Sequence, residues 1–356
     1  MTTPSLSTLY VYLTSGCNCA CQHCWFVPEA GHSTVTGSDM LNPAVLRTAI
    51  EQALPLGLTS LKWTGGEPTL HPQFPEFLSL QKEFSLGGLI ETNGMLLSAA
   101  LVEQIVAAGV TNVSVSLDGA RAMTHDSIRG VTGGFDRTLA GVRELVNAGL
   151  HPELIFTLQR ENLAELEAFF ALAEELKAGS VELNILQPVL RGAALKDSGG
   201  MLSIAELLEI NQLVNEVWPE QFTVPINLDI PMAFRPLSKM MSGQAGGACS
   251  ILNILGVLPR GDYALCGVGQ HVSELAMGSV METNLKEVWE NHPVLGGLRE
   301  GLPERLQGIC AECLMRSACL GCCVAANYHL SSDLLAPYWF CRLAEEAGMF
   351  PGSRRR

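Results

Sequence analysis

An α/β fold built on one parallel sheet, followed by a loop-rich, cysteine-dense module, is what this sequence predicts. Three observations carry that reading. Between Leu9 and about Leu186, apolar β-type runs alternate with stretches of helical length and pattern. The 12 cysteines are clustered, four within residues 17–24 and the rest from Cys249 onward. With 356 residues, 47% of them hydrophobic, the chain can bury a sizeable core.

Strand-type runs start near Leu9, Ser60, Gly88, Asn112, Glu153 and Ser180. Helices are predicted between them, over Pro43–Leu54, Gln73–Phe84, Ser98–Ala108, Phe135–Ala148 and Leu163–Leu176. Asn42 before Pro43, and Ser98 before an alanine-rich turn, are start signals; Gly109 and Gly149 stand where a helix should stop. Such alternation gives a parallel sheet whose βα loops gather at the strands' C-terminal edge. Six repeats are too few for a closed eight-stranded barrel. A further helix is predicted over Ser203–Val217. We expect a first domain over 1–217, a Pro-, Met- and Gly-rich bridge over 218–248, a cysteine-rich domain over 249–347 and a tail over 348–356.

Composition excludes several functions. A net charge of −14 argues against nucleic acid as a partner, because phosphate binding needs a basic surface. The one basic cluster, Arg354-Arg355-Arg356, is a terminal tail suited to solvation. No apolar run is long enough to span a membrane, and no signal peptide is visible, so a cytoplasmic protein is expected. In that compartment, cysteines suggest metal or redox chemistry rather than disulfides.

Cys17, Cys21 and Cys24 lie at C-x3-C-x2-C spacing, directly after the strand-type run Leu9-Tyr10-Val11-Tyr12-Leu13. Three thiolates on a short loop can hold one face of a four-iron cluster and leave one iron open; the same cysteines could also hold zinc. This stretch resembles the radical S-adenosylmethionine (SAM) enzymes, with His23 in the motif's aromatic position. The resemblance implies a partial (β/α)6, TIM-like barrel. It also implies that the open iron chelates SAM, which one electron splits to a 5′-deoxyadenosyl radical that abstracts hydrogen. Cys19 is read as a passenger thiol.

Further loops fit the same resemblance. Gly65-Gly66-Glu67-Pro68 follows the second strand; its glycines admit close backbone approach and its carboxylate suits an ammonium group. The resemblance gives it the amino group of SAM. Thr92-Asn93-Gly94 and Ser116-Leu117-Asp118-Gly119 end the third and fourth strands, where the family contacts the ribose and carboxylate of SAM. Arg129, in His125-Asp126-Ser127-Ile128-Arg129-Gly130, is implied for the SAM carboxylate, since guanidinium and carboxylate pair through two bonds. An ordinary ion pair for Arg129 and a turn or cap for Asp118 are the competing readings. Gln187, in Gln187-Pro188-Val189-Leu190-Arg191-Gly192, matches the family's P-x-x-R-G turn. With His23 and Trp25, these residues form the predicted SAM site.

The second cysteine region reads Cys310-x2-Cys313-x5-Cys319-x3-Cys323 and then Cys341. Before it come Cys249, Gly261 after 11 residues and Cys266 after four more. This pattern resembles the SPASM extension of radical SAM enzymes, a loop-rich iron–sulfur domain. The resemblance implies Cys310, Cys313, Cys319 and Cys341 on one auxiliary cluster, and Cys249, Cys266 and Cys323 on another of uncertain type. A fourth ligand to the latter stays open; Cys322 is the spare thiol. Zinc knuckles and purely structural clusters are the alternatives. Three iron–sulfur clusters and SAM are therefore the expected cofactors, with ferredoxin or flavodoxin as electron donor.

SPASM-bearing enzymes mostly modify peptides. The formylglycine-forming branch uses an Asp just after the Cys of its Gly-x4-Cys element, but Cys266 is followed by Gly267-Val268-Gly269. A tetrapyrrole-modifying branch remains the alternative. Cys24-Trp25, Tyr263-Ala264-Leu265-Cys266-Gly267 and Phe350-Pro351-Gly352-Ser353-Arg354 resemble maturases of ribosomal peptides, loosely those of the tyrosine-excising splicease type. A precursor peptide is the expected substrate. Leu9 lies too close to the N-terminus for a fused leader-recognition domain, so a separate accessory protein is expected. Asp229 and Arg235 are the candidate residues for contacting substrate. The reading of another class is a non-catalytic iron–sulfur or zinc protein that binds peptides.

Overall fold

The computed structural model describes residues 3–26, 39–241 and 249–356. Six parallel strands are found where the apolar runs start: β1 (Thr8–Tyr12), β2 (Ser60–Thr64), β3 (Gly87–Thr92), β4 (Val110–Ser116), β5 (Glu153–Leu158) and β6 (Ser180–Ile185). Between and after them run α1 (Pro43–Ala53), α2 (Phe74–Glu83), α3 (Ala99–Ala107), α4 (Ala122–Arg129), α5 (Gly134–Asn147), α6 (Leu166–Glu175), α7 (Arg191–Asp197) and α8 (Ile204–Glu216). The Asn42 and Ser98 side chains cap α1 and α3 by accepting from Ala44 and Leu101 N–H. α8 begins with a full capping box, Ser203 with Glu206.

The sheet runs further than six strands. β7 (Ile226–Leu228) pairs parallel with β6 inside the expected bridge, whose residues 242–248 lie outside the described residues. On the opposite edge, β8 (Ile254–Val257) pairs parallel with β1, and β9 (Asp262–Ala264) and β10 (Ala276–Ser279) follow antiparallel. The result is one 10-stranded sheet in the order β10-β9-β8-β1-β2-β3-β4-β5-β6-β7. The first part of the cysteine-rich region is thus continuous with the barrel sheet. α4 and α7, which the apolar pattern did not show, are short helices that close loops at the C-terminal edge.

Alternation along the strands divides the sheet into two faces. Leu9, Val11, Leu61, Trp63, Ile90, Val115, Phe156 and Leu183 face the helices and are fully buried. Trp63 donates its indole N–H to Gln81 of α2 at 2.7 Å, and Gln81 in turn donates to the Ala108 carbonyl at 3.0 Å. One buried amide thereby ties β2 to two helices and satisfies the only polar atom of the Trp. The other face carries Tyr10, Lys62, Glu91, Glu153, Glu182 and Asn184, so the inside of the partial barrel is polar. A polar lumen is costly as packing and useful as a site.

Candidate functional site

A cavity of about 340 Å³ opens at the C-terminal edge of the strands. One wall is the cysteine loop after β1, where Cys17, Cys21, Cys24 and also Cys19 line it. The loop is held from below: Ala20 N–H donates to the Arg129 carbonyl at 2.9 Å, and Gln22 N–H to Ile128 at 2.9 Å. Gly130 ends α4 in the left-handed region, φ 62°, and a Cβ there would meet the Ala20 carbonyl oxygen at 2.7 Å. Donors point at the sulfurs, from Cys19 N–H to Cys17 Sγ at 3.4 Å and from Arg129 Nη1 to Cys21 Sγ at 3.6 Å. Cationic and N–H donors beside sulfur favour thiolate, so this donor set fits an iron–sulfur cluster. Cys19 bonds to both the Cys17 and Cys21 thiols, which pushes its own proton affinity up.

The second wall is the Gly65-Gly66-Glu67-Pro68 loop. Gly66 N–H reaches the Thr14 carbonyl at 2.7 Å and Glu67 N–H the Gly16 carbonyl at 2.9 Å, which seats this loop on the first. Glu67 is buried at the cavity wall. Its Oε1 accepts from Thr92 Oγ1 at 2.6 Å and from the Thr69 N–H and hydroxyl; its Oε2 accepts from Asn93 N–H at 2.8 Å. Burial pushes the Glu67 carboxyl up, against the pull of those donors. Thr92 and Asn93 therefore position Glu67, and Asn93 Nδ2 also reaches Asn18 Oδ1 of the cysteine loop at 2.6 Å.

The third wall holds Ser116, Arg129, His23 and Trp25. Asp118 stands behind them and does not line the cavity: its Oδ2 faces Arg129 Nε at 2.7 Å and His23 Nε2 at 3.7 Å, while Oδ1 accepts from Thr157 N–H at 2.7 Å. Burial alone would raise the Asp118 carboxyl; Arg129 and His23 hold it below the ordinary aspartate range. Asp118 is the buried counter-ion that fixes the Arg129 guanidinium. Gln187 lines the cavity, but its amide is engaged by Tyr338 Oη at 2.9 Å and Trp339 Nε1 at 2.9 Å. It joins the barrel to the C-terminal helix Trp339–Glu346.

His125 sits under this wall, where its Nδ1 accepts from Asp118 N–H at 3.1 Å. Burial first, and then Arg129, pushes it down to about 4. Protonation would break the Asp118 bond, so the folded state binds the proton more weakly than the unfolded chain. Between the unfolded value near 6.5 and about 4, stability falls as pH falls. We expect His125 to contribute up to about 3 kcal/mol to that loss, from a shift worth about 1.4 kcal/mol per unit. Denaturant melts of wild type and His125→Gln at pH 7 and pH 4.5 check it; the variant should lose less on acidification.

Some lining residues escaped the motif reading: Lys62, Glu91, Asn184, Thr157, Ile155 and Phe26. Lys62 Nζ bonds Glu91 Oε1 at 2.5 Å and lies over the Tyr10 ring at 4.8 Å. Charge at the inward position of a β-strand was the signal that could have found both. Of the substrate candidates, Asp229 lines the cavity, whereas Arg235 stands behind it with Nη2 3.6 Å from Asp229 Oδ1.

The C-terminal cysteines fall into two neighbourhoods. Cys310, Cys313, Cys319 and Cys341 surround one small cavity of about 20 Å³, lined otherwise by mostly apolar residues such as Leu306 and Phe350, and by Arg316. Cys249, Cys266 and Cys323 act electrostatically on one another, with Lys62 beside the first two. Burial pushes the Cys249 thiol up to about 12. Cys322, at φ 59°, bonds the Cys319 thiol and so leans toward the first set, though its sequence neighbour Cys323 belongs with the second. Among the described residues, no three His, Cys, Asp or Glu side chains stand at the spacing of a ready single-ion site, and no helix is long and apolar enough to cross a membrane.

Comparison with known proteins agrees with this geometry. Residues 11–173 match the radical SAM superfamily model. An AdoMet-dependent heme synthase of Methanosarcina barkeri is 32% identical over 349 residues, 92% of this chain and 94% of the relative. The PqqA peptide cyclase of Gluconobacter oxydans is 27% identical over 85% of this chain and 83% of its own. Among solved structures, SuiB of Streptococcus suis bound to its precursor peptide SuiA superposes with a TM-score of 0.75 at 17% identity, covering 96% of this chain and 77% of SuiB. That last likeness is one of fold. A match in the barrel carrying the C-x3-C-x2-C loop, together with a relative of this identity along almost the whole chain, places the protein in the radical SAM superfamily of enzymes.

Proposed function

We propose that the chain is a radical SAM/SPASM maturase acting on a precursor peptide. The observation that carries the chemistry is the meeting, around one cavity, of the Cys17–Cys24 loop and the Gly65–Pro68 loop, the latter hydrogen-bonded to Thr14 and Gly16 where the chain enters the former. Cys17, Cys21 and Cys24 would hold the SAM cluster, with Glu67 placed for the SAM amino group and Arg129 for its carboxylate. When bound, that cluster supplies the electron that splits SAM into methionine and a 5′-deoxyadenosyl radical. The protein's own work is to orient and to exclude water. Asp118 keeps Arg129 fixed, Thr92 and Asn93 keep Glu67 fixed, and the Phe26 and Trp25 rings give the cavity an apolar wall. Cys310, Cys313, Cys319 and Cys341 hold one auxiliary cluster; Cys249, Cys266 and Cys323 hold the other. A separate leader-binding protein, and ferredoxin or flavodoxin, complete the cytoplasmic system.

Relatedness to the PqqA peptide cyclase over 85% of this chain supports a peptide substrate. The second reading is a tetrapyrrole substrate, favoured by the 32% identity to a heme synthase. Anaerobic reaction with SAM, dithionite and either the precursor peptide or an iron porphyrin, followed by mass spectrometry, separates the two. We expect 5′-deoxyadenosine and a mass change confined to the peptide. No deoxyadenosine under any condition sinks the radical reading, and conversion of the porphyrin alone gives the second one.

A further inference from the structure

We infer that Asp229 is the substrate anchor of the cavity, a carboxylate that takes an N–H donor of the peptide, either an amide or a cationic side chain. This rests on the peptide reading above. The other charged groups lining the cavity are already matched at close range. Glu67 accepts four hydrogen bonds, Glu91 has Lys62 at 2.5 Å and the Thr64 hydroxyl at 3.2 Å, and Arg129 has Asp118 at 2.7 Å. Asp229 differs. Among the described residues its carboxylate accepts no hydrogen bond, and the Arg235 guanidinium stands off at 3.6 Å with its Nε committed to the Ile230 carbonyl at 2.7 Å.

Half of the Asp229 side chain, 50%, is accessible, yet surrounding atoms bury it deeply enough to push its carboxyl up. These two facts agree if the exposed half looks into the cavity it lines and not into bulk water. Its accessible carboxylate has no hydrogen-bond donor among the described residues, and a ligand N–H entering the cavity supplies one. Backbone holds it in place: Asp229 N–H donates to the Leu183 carbonyl at 2.9 Å, extending the β6–β7 pairing by one rung. Glu182 on the neighbouring strand, raised to about 8 by burial and by Asp229 and Glu153, is largely protonated at neutral pH and lines a separate pocket, so Asp229 is the acidic group that this edge presents to the cavity.

The test uses the reconstituted holoenzyme and the precursor peptide that changes mass in the assay above. Asp229→Asn and Asp229→Ala should raise KM for that peptide at least tenfold with kcat altered less than threefold, and Asp229→Glu should recover part of the loss. Fluorescence anisotropy of labelled peptide, without reductant, should weaken by the same factor. Iron content and melting temperature verify the fold, and Asp229→Asn, which keeps the side chain's shape, decides the matter if the alanine variant loses iron. A wild-type enzyme that converts the peptide, beside an Asn variant with unchanged KM and unchanged binding, overturns the anchor alone. A wild-type enzyme that converts only the iron porphyrin overturns the peptide reading and the anchor together.

Discussion

Cys21→Ala is expected to abolish reductive cleavage of SAM, a loss of at least about a thousandfold, because a cluster held by two sulfurs has no stable place in the loop. The residue is buried, its sulfur faces Arg129 Nη1, and its carbonyl accepts from Arg191 Nη1 at 2.8 Å. Neighbouring Cys19 is the one thiol that could stand in, since it touches both Cys17 and Cys21. Cys19→Ser is therefore the companion variant, and it should cleave SAM within about threefold of wild type if Cys19 is a passenger. Iron should fall by about a third in Cys21→Ala, from about 12 to about 8 per chain if all three clusters carry four irons. Deoxyadenosine release and iron content read both effects. Full activity in Cys21→Ala, or its loss in Cys19→Ser, would mean that a different trio holds the cluster.

Gly66→Ala should be the most damaging substitution that removes no functional group. A Cβ at this position would stand 2.0 Å from the Gly16 carbonyl oxygen and 2.6 Å from its carbon. Both atoms are backbone, so neither can rotate aside. The two loops would have to part, breaking the Gly66–Thr14 and Glu67–Gly16 bonds that seat Glu67 at the cavity. Overpacking of this kind costs about 1–3 kcal/mol or more. A displaced Glu67 should weaken SAM binding by about a hundredfold, the effect of misplacing a positioned group by about 1 Å. Equilibrium dialysis with labelled SAM measures it. Gly296→Ala is the control, for nothing lies within 4 Å of the added methyl and the helix Pro293–Gly301 should gain slightly. SAM binding in Gly66→Ala equal to the control would show that the loop contact is dispensable.

Much of this was legible in the amino-acid order. The six βα repeats could be read because buried parallel strands are apolar and their helices carry start and stop residues, as at Asn42 and Ser98. The cavity walls were legible where chemistry demands a rare residue at fixed spacing, as in Cys17, Cys21, Cys24 and the Gly-Gly-Glu loop. Less visible was anything set by distant pairing. β7 and β8 are three and four residues long, too short for periodicity to reveal, and each meets the barrel strands through a partner far away in sequence, β6 and β1. The inner surface was also hidden. Lys62 and Glu91 read as solvent-side residues of ordinary strands until the sheet curls and turns that side inward. Asp118 had the right neighbours and an indirect role, because a motif gives a residue's place in the chain and not which side of an arginine it occupies.

Strand β1 lies in mid-sheet, with Thr8 in register with Ser60 of β2 on one side and with Ile254 of β8 on the other. During synthesis on the ribosome the first neighbour follows soon after β1, and the second only after the other parallel strands have emerged. Until then the strand that launches the Cys17–Cys24 loop has a bare edge, and that loop has no finished platform. A chain halted before residue 254 is therefore expected to offer an incomplete receptor for iron at the first three sulfurs.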